Sequence, residues 1–545
     1  MKKTKNIFKI GVLALGLLSV GSCANKDILD LDLTQNPNAL SPDQADPDFL
    51  LNKVQVDYAS WIESFGYTGG QVVRIDQMSG RDYTSAYGPT AFDGRWSSAY
   101  RGMMEDLAVM NNLAAEAELT HHIAMGQFMQ AHILMTLVDF FGDIPYTEAL
   151  QGADNLNPMA DSGASVYQAA MDLLVQAKAN FEADAAADPQ YDFFYDGDFD
   201  DSWVRAVNTL MMKGYMTTRL TDGSALSSFN ALVTEGNYIN DNDYDMQFGW
   251  GKNEVQPDNR HPRYAADYTA TGGGRYRSNW LMGKMLDDED PRRLFYFYRQ
   301  NAATPGFGAD PDEETLECSL QTPPAHMDGY VWCGLDGGYW GRDHGNDNGI
   351  PPDGFLRTLH GVYPAGGTFD DASYDGQVNG DGEGGAGVTP VLLASWTDFM
   401  IAEAAMAGGD AAAAKTAMFN GMEKSITKVT EFYESGLDLD TSIMNHADDI
   451  DAQFDASTDQ MEVIAEQYFI ALYGNGIEAY NFYRRTGYPK SLQPNVEPNP
   501  GGFIRSFFYP ANYANTNQNA TQKGGVDVQV FWDTNSASPG FPVAN

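Results

Sequence analysis

The sequence predicts an all-α protein in which paired helices form a scaffold and long irregular loops carry the ligand face. Three observations predict this class. Apolar residues recur at helical spacing through much of the 545-residue chain, and helical segments come in pairs that break at glycines. Two long stretches, residues 237–281 and 301–390, are rich in Gly, Pro, Asp and Asn. Loops of this length in a helical protein are usually functional.

The first segment has the pattern of a secreted lipoprotein. Four lysines within residues 2–9 precede an apolar run, residues 10–20, which is a secretory signal and is too short to span a membrane stably. Small residues directly before Cys23 resemble a bacterial lipobox, so we expect Cys23 to carry the lipid that anchors the protein to a membrane. A plain signal peptide with an incidental cysteine is the alternative. The predicted organisation is a signal peptide at 1–22, a lipidated flexible tether at 23–47 and one ligand-binding domain at 48–545.

The helical segments stop where the chain offers stop signals. Residues 123–141 are apolar at helical spacing and end before Gly142, with a proline shortly after. Segments 165–183 and 202–220 repeat the pattern, each opening on a serine as candidate N-cap. Segments 396–426 and 461–489 break at Gly408–Gly409 and at Gly474–Gly476, and Asp410 is the candidate cap of one restart. Helix pairs of this size indicate a tetratricopeptide-like arrangement, although no clean 34-residue repeat is present.

The net charge limits the class of partner. The chain has 33 Lys plus Arg against 75 Asp plus Glu, a net charge of −42. Nucleic acid is therefore excluded as a partner, because phosphate binding depends on Lys and Arg. The one arginine-dense aromatic stretch, residues 291–299, is interpreted as a buried amphipathic segment in which Arg292 and Arg293 pair with nearby aspartates.

Two cysteines besides Cys23 lie in a Gly-, Pro- and Asp-rich region. In an oxidising compartment Cys318 and Cys333 are expected to form a disulfide. A zinc site is the weaker interpretation, because the pair lacks Cys-x-x-Cys spacing and a nearby histidine pair. The bridge would close a loop of about 15 residues and contribute about 3 kcal/mol in the chain-entropy model.

No motif that carries a catalytic mechanism is present. The sequence lacks H-E-x-x-H, G-x-S-x-G and the Walker loop, and its acidic loops lack the full EF-hand pattern. A carboxylate pair for glycoside hydrolysis stays open, since 75 acids guarantee chance pairs. We therefore predict a protein that is not an enzyme and requires no cofactor, with a surface glycosidase as the alternative.

Segment 330–349, YVWCGLDGGYWGRDHGNDNG, combines aromatic rings with glycines, carboxylates and amides. Tyr339 and Trp340 beside Arg342 and Asp343 would offer flat faces to the C–H groups of a sugar and polar groups to its hydroxyls. Trp332, beside Cys333, has the alternative of packing on the disulfide. Calcium is a further candidate ligand, because hard cations need several oxygens and the segment supplies them. The candidate calcium ligands are Asp343, Asn346, Asp347 and Asn348.

Several segments, in order along nearly the whole chain, carry a family resemblance. They are FGDIPYTEAL (141–150), DPRR (290–293), GRDHGNDNGIPPDGFLRT (341–358), GVYPAGG (361–367), TDFMIAEAA (397–405), YNFYRRTGYP (480–489) and RSFFYPANYANTNQNA (505–520). Together with the lipobox they resemble the SusD/RagB-type outer-membrane lipoproteins of Bacteroidetes, in particular the SusD-like subgroup.

The resemblance implies a fold built on four tetratricopeptide-like helix pairs and a role in nutrient capture at the cell surface. Such proteins bind glycan, or in some members peptide, and act as the lid of a SusC-like TonB-dependent transporter in the outer membrane. The shared motifs are fold motifs, so GDIPYTEAL and RRTGYP are expected to serve packing and turns.

Ligand residues are therefore chosen by their chemistry. Besides Tyr339, Trp340, Arg342 and Asp343, the candidates are Arg81, Asp82, Tyr83, Tyr87, Arg275 and Tyr276, whereas Trp96, Trp203, Trp280 and Trp396 are expected in the core. A neutral oligosaccharide or polysaccharide is the predicted ligand, and a peptide receptor of the same architecture is the alternative.

Overall fold

The computed structural model of the chain describes residues 45–304, 317–348 and 352–536. Helices make up 51% of the structure and strands 4%, which confirms the predicted all-α class. Residues Pro47–Asn545 form one compact unit, and the remainder, Met1–Asp46, is described only at residues 45 and 46. Cys23, the signal peptide and nearly all of the predicted tether lie outside the described residues.

The regular elements follow one another in chain order. The α-helices are α1 Pro47–Val72, α2 Tyr83–Ala86, α3 Asp93–Ser97, α4 Glu105–Glu116, α5 Thr120–Phe141, α6 Gly163–Phe181, α7 Val204–Thr218, α8 Ala225–Glu235, α9 Pro262–Asp267, α10 Asn279–Asp287, α11 Arg293–Tyr296, α12 Ala394–Ala407, α13 Ala411–Glu431, α14 Asp440–Ala456, α15 Gln460–Ala471, α16 Ile477–Thr486 and α17 Ala511–Thr516. The strands are β1 Met246–Gly249, β2 Tyr268–Thr269, β3 Gly272–Gly273, β4 Phe297–Tyr298, β5 Leu359–His360 and β6 Val388–Leu392. π-Helical turns at Ser98–Met104 and Phe199–Trp203 lead into α4 and α7.

Four helix pairs form the scaffold within the described part of the chain. Helix α1 packs with α4, α5 with α6, α7 with α8, and α12 with α13, and each pair contacts the next. Helix α16 packs on α1, so a late helix of the chain returns to its first long helix. The predicted scaffold of helix pairs is therefore confirmed.

Short strands connect the long loops to one another through backbone hydrogen bonds. They form three two-stranded antiparallel sheets, β1 with β6, β2 with β3, and β4 with β5. In the first of these, Phe248 faces Thr389 and Gly249 faces Val388. This pairing joins the stretch at 237–281 to the end of the stretch at 301–390, and both loops are thereby fixed on the scaffold.

Most of the predicted helix ends are present. Helix α5 ends at Phe141, and Gly142 follows with φ 79°, a conformation that favours glycine. Asp410 caps α13, since its side chain accepts a hydrogen bond from the backbone N–H of Ala413. The two predicted serine caps are wrong, because Ser162 caps α6 and Asp198 caps the turn before α7. In both cases the residue taken as the cap supplies the N–H that the true cap accepts.

Segments shared with the family lie in the interior, as expected of fold motifs. Arg485 pairs with Glu403 and Glu478, and Arg484 donates to the backbone oxygen of Asp139. Arg292 pairs with Asp290, as predicted, whereas Arg293 donates to the backbone oxygen of Asp290 and forms no ion pair among the described residues. The four tryptophans assigned to the core, Trp96, Trp203, Trp280 and Trp396, are all buried, which confirms that assignment.

A buried arginine connects three parts of the fold. Arg263, in α9, pairs with Glu63 of α1 at 2.5 Å and with Asp76 at 2.9 Å. The same guanidinium donates to the backbone oxygen of Gly474, in the turn between α15 and α16. Burial alone would raise the pKa of Glu63, but the charges of Arg263 and His261 and the hydrogen bonds from Arg263 and Thr389 together outweigh it, and the pKa is lowered. Arg263 thus fixes the end of α1 against both the loop region and the last helices.

Arg263→Ala is expected to destabilise the fold strongly, because it leaves two buried carboxylates without their cation. We expect the free energy of unfolding to fall by about 3–5 kcal/mol, measured by urea denaturation. The control is Lys53→Ala, which breaks exposed ion pairs with Asp57 and Asp106. That change is expected to cost less than about 1 kcal/mol. Equal effects of the two substitutions would contradict the structural role of Arg263.

Candidate functional site

The residues predicted to bind ligand fall into a buried and an accessible group. Buried are Tyr83, Tyr276, Tyr339, Trp340, Arg342 and Asp343, and accessible at least in part are Arg81, Asp82, Tyr87 and Arg275. The first group cannot meet a ligand in this conformation, so the accessible residues decide where a site can lie.

The rings near Trp340 form a small core under the loops. Trp340 is 1% exposed, and its indole N–H donates to Asp353 at 2.9 Å. The hydroxyl of Tyr276 donates to the same carboxylate at 2.6 Å, while Arg342 and Arg357 lie 4.0 and 4.1 Å from the centre of the Tyr276 ring. The interpretation of Tyr276, Tyr339, Trp340 and Arg342 as a sugar platform is therefore corrected, because packing already covers their faces.

The disulfide belongs to this same core. Cys318 and Cys333 are bonded, with Cα atoms 5.5 Å apart. Both cysteines cluster with Tyr276 and Trp340, and Trp332 packs against this cluster. Trp332 therefore follows the alternative interpretation, in which it packs on the disulfide. The bridge thus holds the aromatic loop segment together from within.

Asp343 has a structural role that does not fit a calcium ligand. One carboxylate oxygen accepts hydrogen bonds from the side chains of Asn279 and Gln493, and the other accepts the backbone N–H of Cys333 at 2.6 Å. Asp347 pairs with Arg81 at 2.6 Å. Calcium requires about six to eight oxygen ligands. The oxygens of Asp343 already accept N–H groups, and the described residues contain no cluster of three or more His, Cys, Asp or Glu suited to a metal.

The residues around Arg81 form a joint between two loops. Arg81 also bonds the side chain of Asn348, and the backbone N–H of Gly345 donates to the oxygen of Met78 at 2.9 Å. Asp82 caps α2, because its carboxylate accepts from the backbone N–H of Ser85. Tyr83 is buried, and its hydroxyl accepts from Arg74 at 2.8 Å. This region is therefore a rim that holds the loops in place.

An accessible strip of aromatic and polar side chains lies at the C-terminal end of α1. Of residues 61–73, only Ser64, Tyr67 and Gln71 are not buried, and their spacing puts them on one helix face. The guanidinium of Arg275 lies 4.7 Å from the centre of the Tyr67 ring. The hydroxyl of Tyr87 donates to Gln71 at 2.8 Å. We name Tyr67, Gln71, Tyr87, Arg95 and Arg275 the tyrosine–arginine strip.

Arg95 supplies a second guanidinium to the strip. It lies over the ring of Phe92 at 4.9 Å and donates to the hydroxyl of Thr68 at 2.7 Å. Burial lowers its pKa to about 10, so it is still charged at neutral pH. Burial also raises the pKa of Tyr87, whose hydroxyl therefore stays a donor. Neither Arg95 nor Arg275 forms an ion pair with any residue that the structure describes.

Sequence reasoning found Tyr87 and Arg275 but missed Tyr67, Gln71 and Arg95. Tyr67 and Gln71 sit in a stretch of α1 in which most other positions, apart from Glu63, are apolar or small. The polar residues at 64, 67 and 71 were the available signal. Arg95 gave no signal, because its lack of an acidic partner appears only in the folded chain.

Comparison with known proteins identifies the fold. A family model described as starch-binding and associating with the outer membrane matches residues 37–313 and 369–510, which is more than half of the chain. The chain belongs to the SusD-like family. No curated protein matches it in sequence. No helix within the described residues is long and apolar enough to cross a membrane.

Solved structures of SusD homologues share this architecture. A chitin-binding SusD homologue from Flavobacterium johnsoniae is 18% identical, with a TM-score of 0.63 over 90% of this chain and 100% of its own. A SusD/RagB family protein from Bacteroides thetaiotaomicron is 17% identical, with a TM-score of 0.66 over the same shares. A SusD homologue from Bacteroides fragilis is 19% identical, with a TM-score of 0.63, again over 90% and 100%. At these identities the likeness establishes the fold.

Trp340→Ala tests whether this SusD-like chain uses Trp340 in its core. We expect the free energy of unfolding to fall by about 3–5 kcal/mol, because a large buried ring and its hydrogen bond are removed. Urea denaturation gives the value. The matched control is Tyr330→Ala in the same segment, where the ring is 39% exposed and the change should stay within about 0.5 kcal/mol. If the Trp340→Ala protein keeps full stability but loses glycan binding, Trp340 is a ligand residue and the assignment to the core is wrong.

Proposed function

We propose that this SusD-like protein binds a neutral glycan at the cell surface through the tyrosine–arginine strip. The observation that carries the proposal is the strip itself, an accessible aromatic and polar surface on a rigid helix end. Its family is described as starch-binding, and one relative of the same fold is described as chitin-binding. Both starch and chitin are neutral polysaccharides.

The chemistry of the strip suits sugar rings. The accessible parts of the Tyr67 and Tyr87 rings can contact the C–H groups of a sugar, while the amide of Gln71 and the guanidinium of Arg275 can bond hydroxyls. A polyanionic glycan is disfavoured by the net charge of −42. Arg95 and Arg275 have no ion pair among the described residues, so both can orient hydroxyl groups. The strip contains no carboxylate, whereas glycoside hydrolysis normally uses a pair of carboxyl groups. The proposal is therefore binding without cleavage.

Anchoring and delivery complete the proposal. Lipid on Cys23 would hold the domain at the outer membrane through a tether at 23–47, and the bound glycan would pass to a SusC-like TonB-dependent transporter. The family's association with the outer membrane supports the location. Delivery to such a transporter is proposed on the basis of the family resemblance.

Arg275→Ala and Gln71→Ala are each expected to weaken glycan binding up to about tenfold, because each removes a hydrogen-bonding group from the strip. The soluble form, residues 24–545, would be titrated calorimetrically with neutral and acidic oligosaccharides and with peptides. The thermal unfolding midpoint should not change for Arg275→Ala, because Arg275 is exposed, and should fall only slightly for Gln71→Ala, because the half-buried Gln71 also bonds Gln77 and Tyr87.

The matched control for that titration is Tyr191→Ala. Tyr191 is 52% exposed, and its backbone contacts Gln55 of α1, about 18 Å along the helix from Tyr67. Unchanged affinity in both strip variants would remove the strip as the site. Heat with peptides alone would favour the peptide receptor, and release of product from any oligosaccharide would overturn binding without cleavage.

Cys23→Ala is expected to move the protein from the outer-membrane fraction to the soluble fraction, because stable anchoring needs more than one acyl chain and none could be added. Palmitate labelling followed by membrane fractionation measures this. A labelled, membrane-bound variant would show that Cys23 is not the lipidated residue.

A further inference from the structure

A group of exposed apolar side chains lies at the N-terminal end of α1, at the other end of that helix from the strip. Phe49 is 70% exposed and Val56 41%, and on a loop beside the helix Tyr191 is 52% exposed and Phe193 39%. Single exposed apolar residues are normal, whereas several at one place indicate an interaction surface. We name Phe49, Val56, Tyr191 and Phe193 the apolar edge.

Two members of the apolar edge lie on one face of α1. Phe49 and Val56 are seven positions apart, so their side chains point to the same side of the helix, about 10 Å from each other. Lys53 and Ser60, each four positions further along, are exposed as well. The first half of α1 therefore keeps one face open to the outside.

The other two members are held beside the same helix by the backbone of their loop. The side-chain amide of Gln55 donates to the backbone oxygen of Tyr191 at 3.1 Å, and its oxygen accepts the backbone N–H of Phe193 at 2.9 Å. The carboxylate of Asp48 accepts the backbone N–H of Gln190 at 2.8 Å. The loop is thus fixed on α1 through its backbone, and its two rings stay exposed without a ligand to order them.

Acidic side chains beside the apolar edge limit the kind of partner. Asp46, Asp57 and Asp188 lie within a few residues of its members and are at least partly exposed, and Lys53 is already paired with Asp57 and Asp106. A second copy of the chain packed on this edge would bring like charges together, and an anionic surface would be repelled. A zwitterionic lipid surface offers ammonium groups to the carboxylates and an apolar interior to the rings.

We propose that the apolar edge docks the domain on a zwitterionic lipid surface, with the rings of Phe49, Tyr191 and Phe193 at the level of the headgroups. Aromatic side chains favour this level, and binding strength grows with the apolar area that is buried. The edge begins two residues after Pro47, where the tether of the proposed function joins the domain. The inference rests on the proposed function for the lipid on Cys23, which would keep the edge close to a membrane.

The docking surface and the ligand surface are separate. Tyr67 of the strip follows Phe49 by about five helical turns, which is about 27 Å along α1. A flexible tether alone would leave the domain free to turn, because such a linker does not set an orientation. Contact at the apolar edge would fix the domain on the lipid while the strip stays available for glycan.

The test uses the soluble form, residues 24–545, which lacks the proposed lipid and binds vesicles only through its polypeptide. Flotation measures binding to vesicles of phosphatidylcholine and phosphatidylethanolamine, and to vesicles that also contain phosphatidylglycerol. The edge variant combines Phe49→Ser with Tyr191→Ser. The matched control combines Leu437→Ser with Met444→Ser, two exposed apolar residues near α14.

We expect the unaltered protein and the control to bind the zwitterionic vesicles equally, and the edge variant to bind them about tenfold more weakly, because less apolar area is buried. Phosphatidylglycerol should weaken binding, since the carboxylates near the edge are repelled. The thermal midpoint of the edge variant and its affinity for glycan should not change. Absence of vesicle binding by the unaltered protein, or equal binding by the edge variant, would overturn the inference.

Other outcomes separate this inference from its alternatives. Sedimentation velocity detects a dimer, and a dimer of the unaltered protein that is lost in the edge variant would assign the edge to a second copy and overturn the lipid surface. Vesicle binding through the edge without any glycan binding would overturn the strip and leave the edge standing. Glycan binding without vesicle binding would leave only the proposed function.

Discussion

The buried guanidinium of Arg263 is the contact on which the rest of the structure depends. It joins Glu63, Asp76 and Gly474, which belong to the first helix, the loop after it and the turn between α15 and α16. The same guanidinium lies 5.1 Å from the centre of the Tyr67 ring, and Arg275 lies 4.7 Å from that ring. Tyr67 is thus held by a buried cation and also contacts an accessible one. The network that fixes the core therefore fixes the position of the strip.

The distribution of cations explains why a few arginines stand out. In a chain of net charge −42, most buried arginines already have acidic partners, such as Arg292 with Asp290, Arg485 with Glu403 and Arg505 with Asp533. Such pairs set geometry more reliably than they add stability, since desolvation offsets much of the attraction. Arg95 and Arg275 have no ion pair among the described residues, and both are at least partly accessible. In the proposed function they are the cations that contact hydroxyl groups.

The sequence could predict local structure but not which aromatic rings would be covered. Helix pairing, the stop at Gly142 and the cap at Asp410 follow from chemistry within a few residues, and the family resemblance adds the number of pairs. A glycine-rich segment with Tyr339 and Trp340 has the same composition whether its rings face solvent or a core. Whether the rings are covered depends on which residues pack on them. The indole N–H of Trp340 donates to the carboxylate of Asp353, which lies in a loop that folds back onto the segment. Tyr67 and Gln71 were missed because the sequence does not show which face of α1 stays accessible. That face depends on how α16 and α9 pack against the helix.

The strip has a packed support, and this determines how it would act. Helix α3 carries Arg95, and ring contacts of Phe92 with Phe507 at 4.7 Å and of Trp96 with Phe141 at 5.4 Å pack this part of the chain into the core. Arg263 and Arg275 lie 5.1 and 4.7 Å from the centre of the Tyr67 ring. The side chains of the strip therefore have defined positions before a ligand arrives, and a pre-organised surface loses less conformational freedom on binding. A surface receptor built in this way would bind a polysaccharide without rearranging its scaffold.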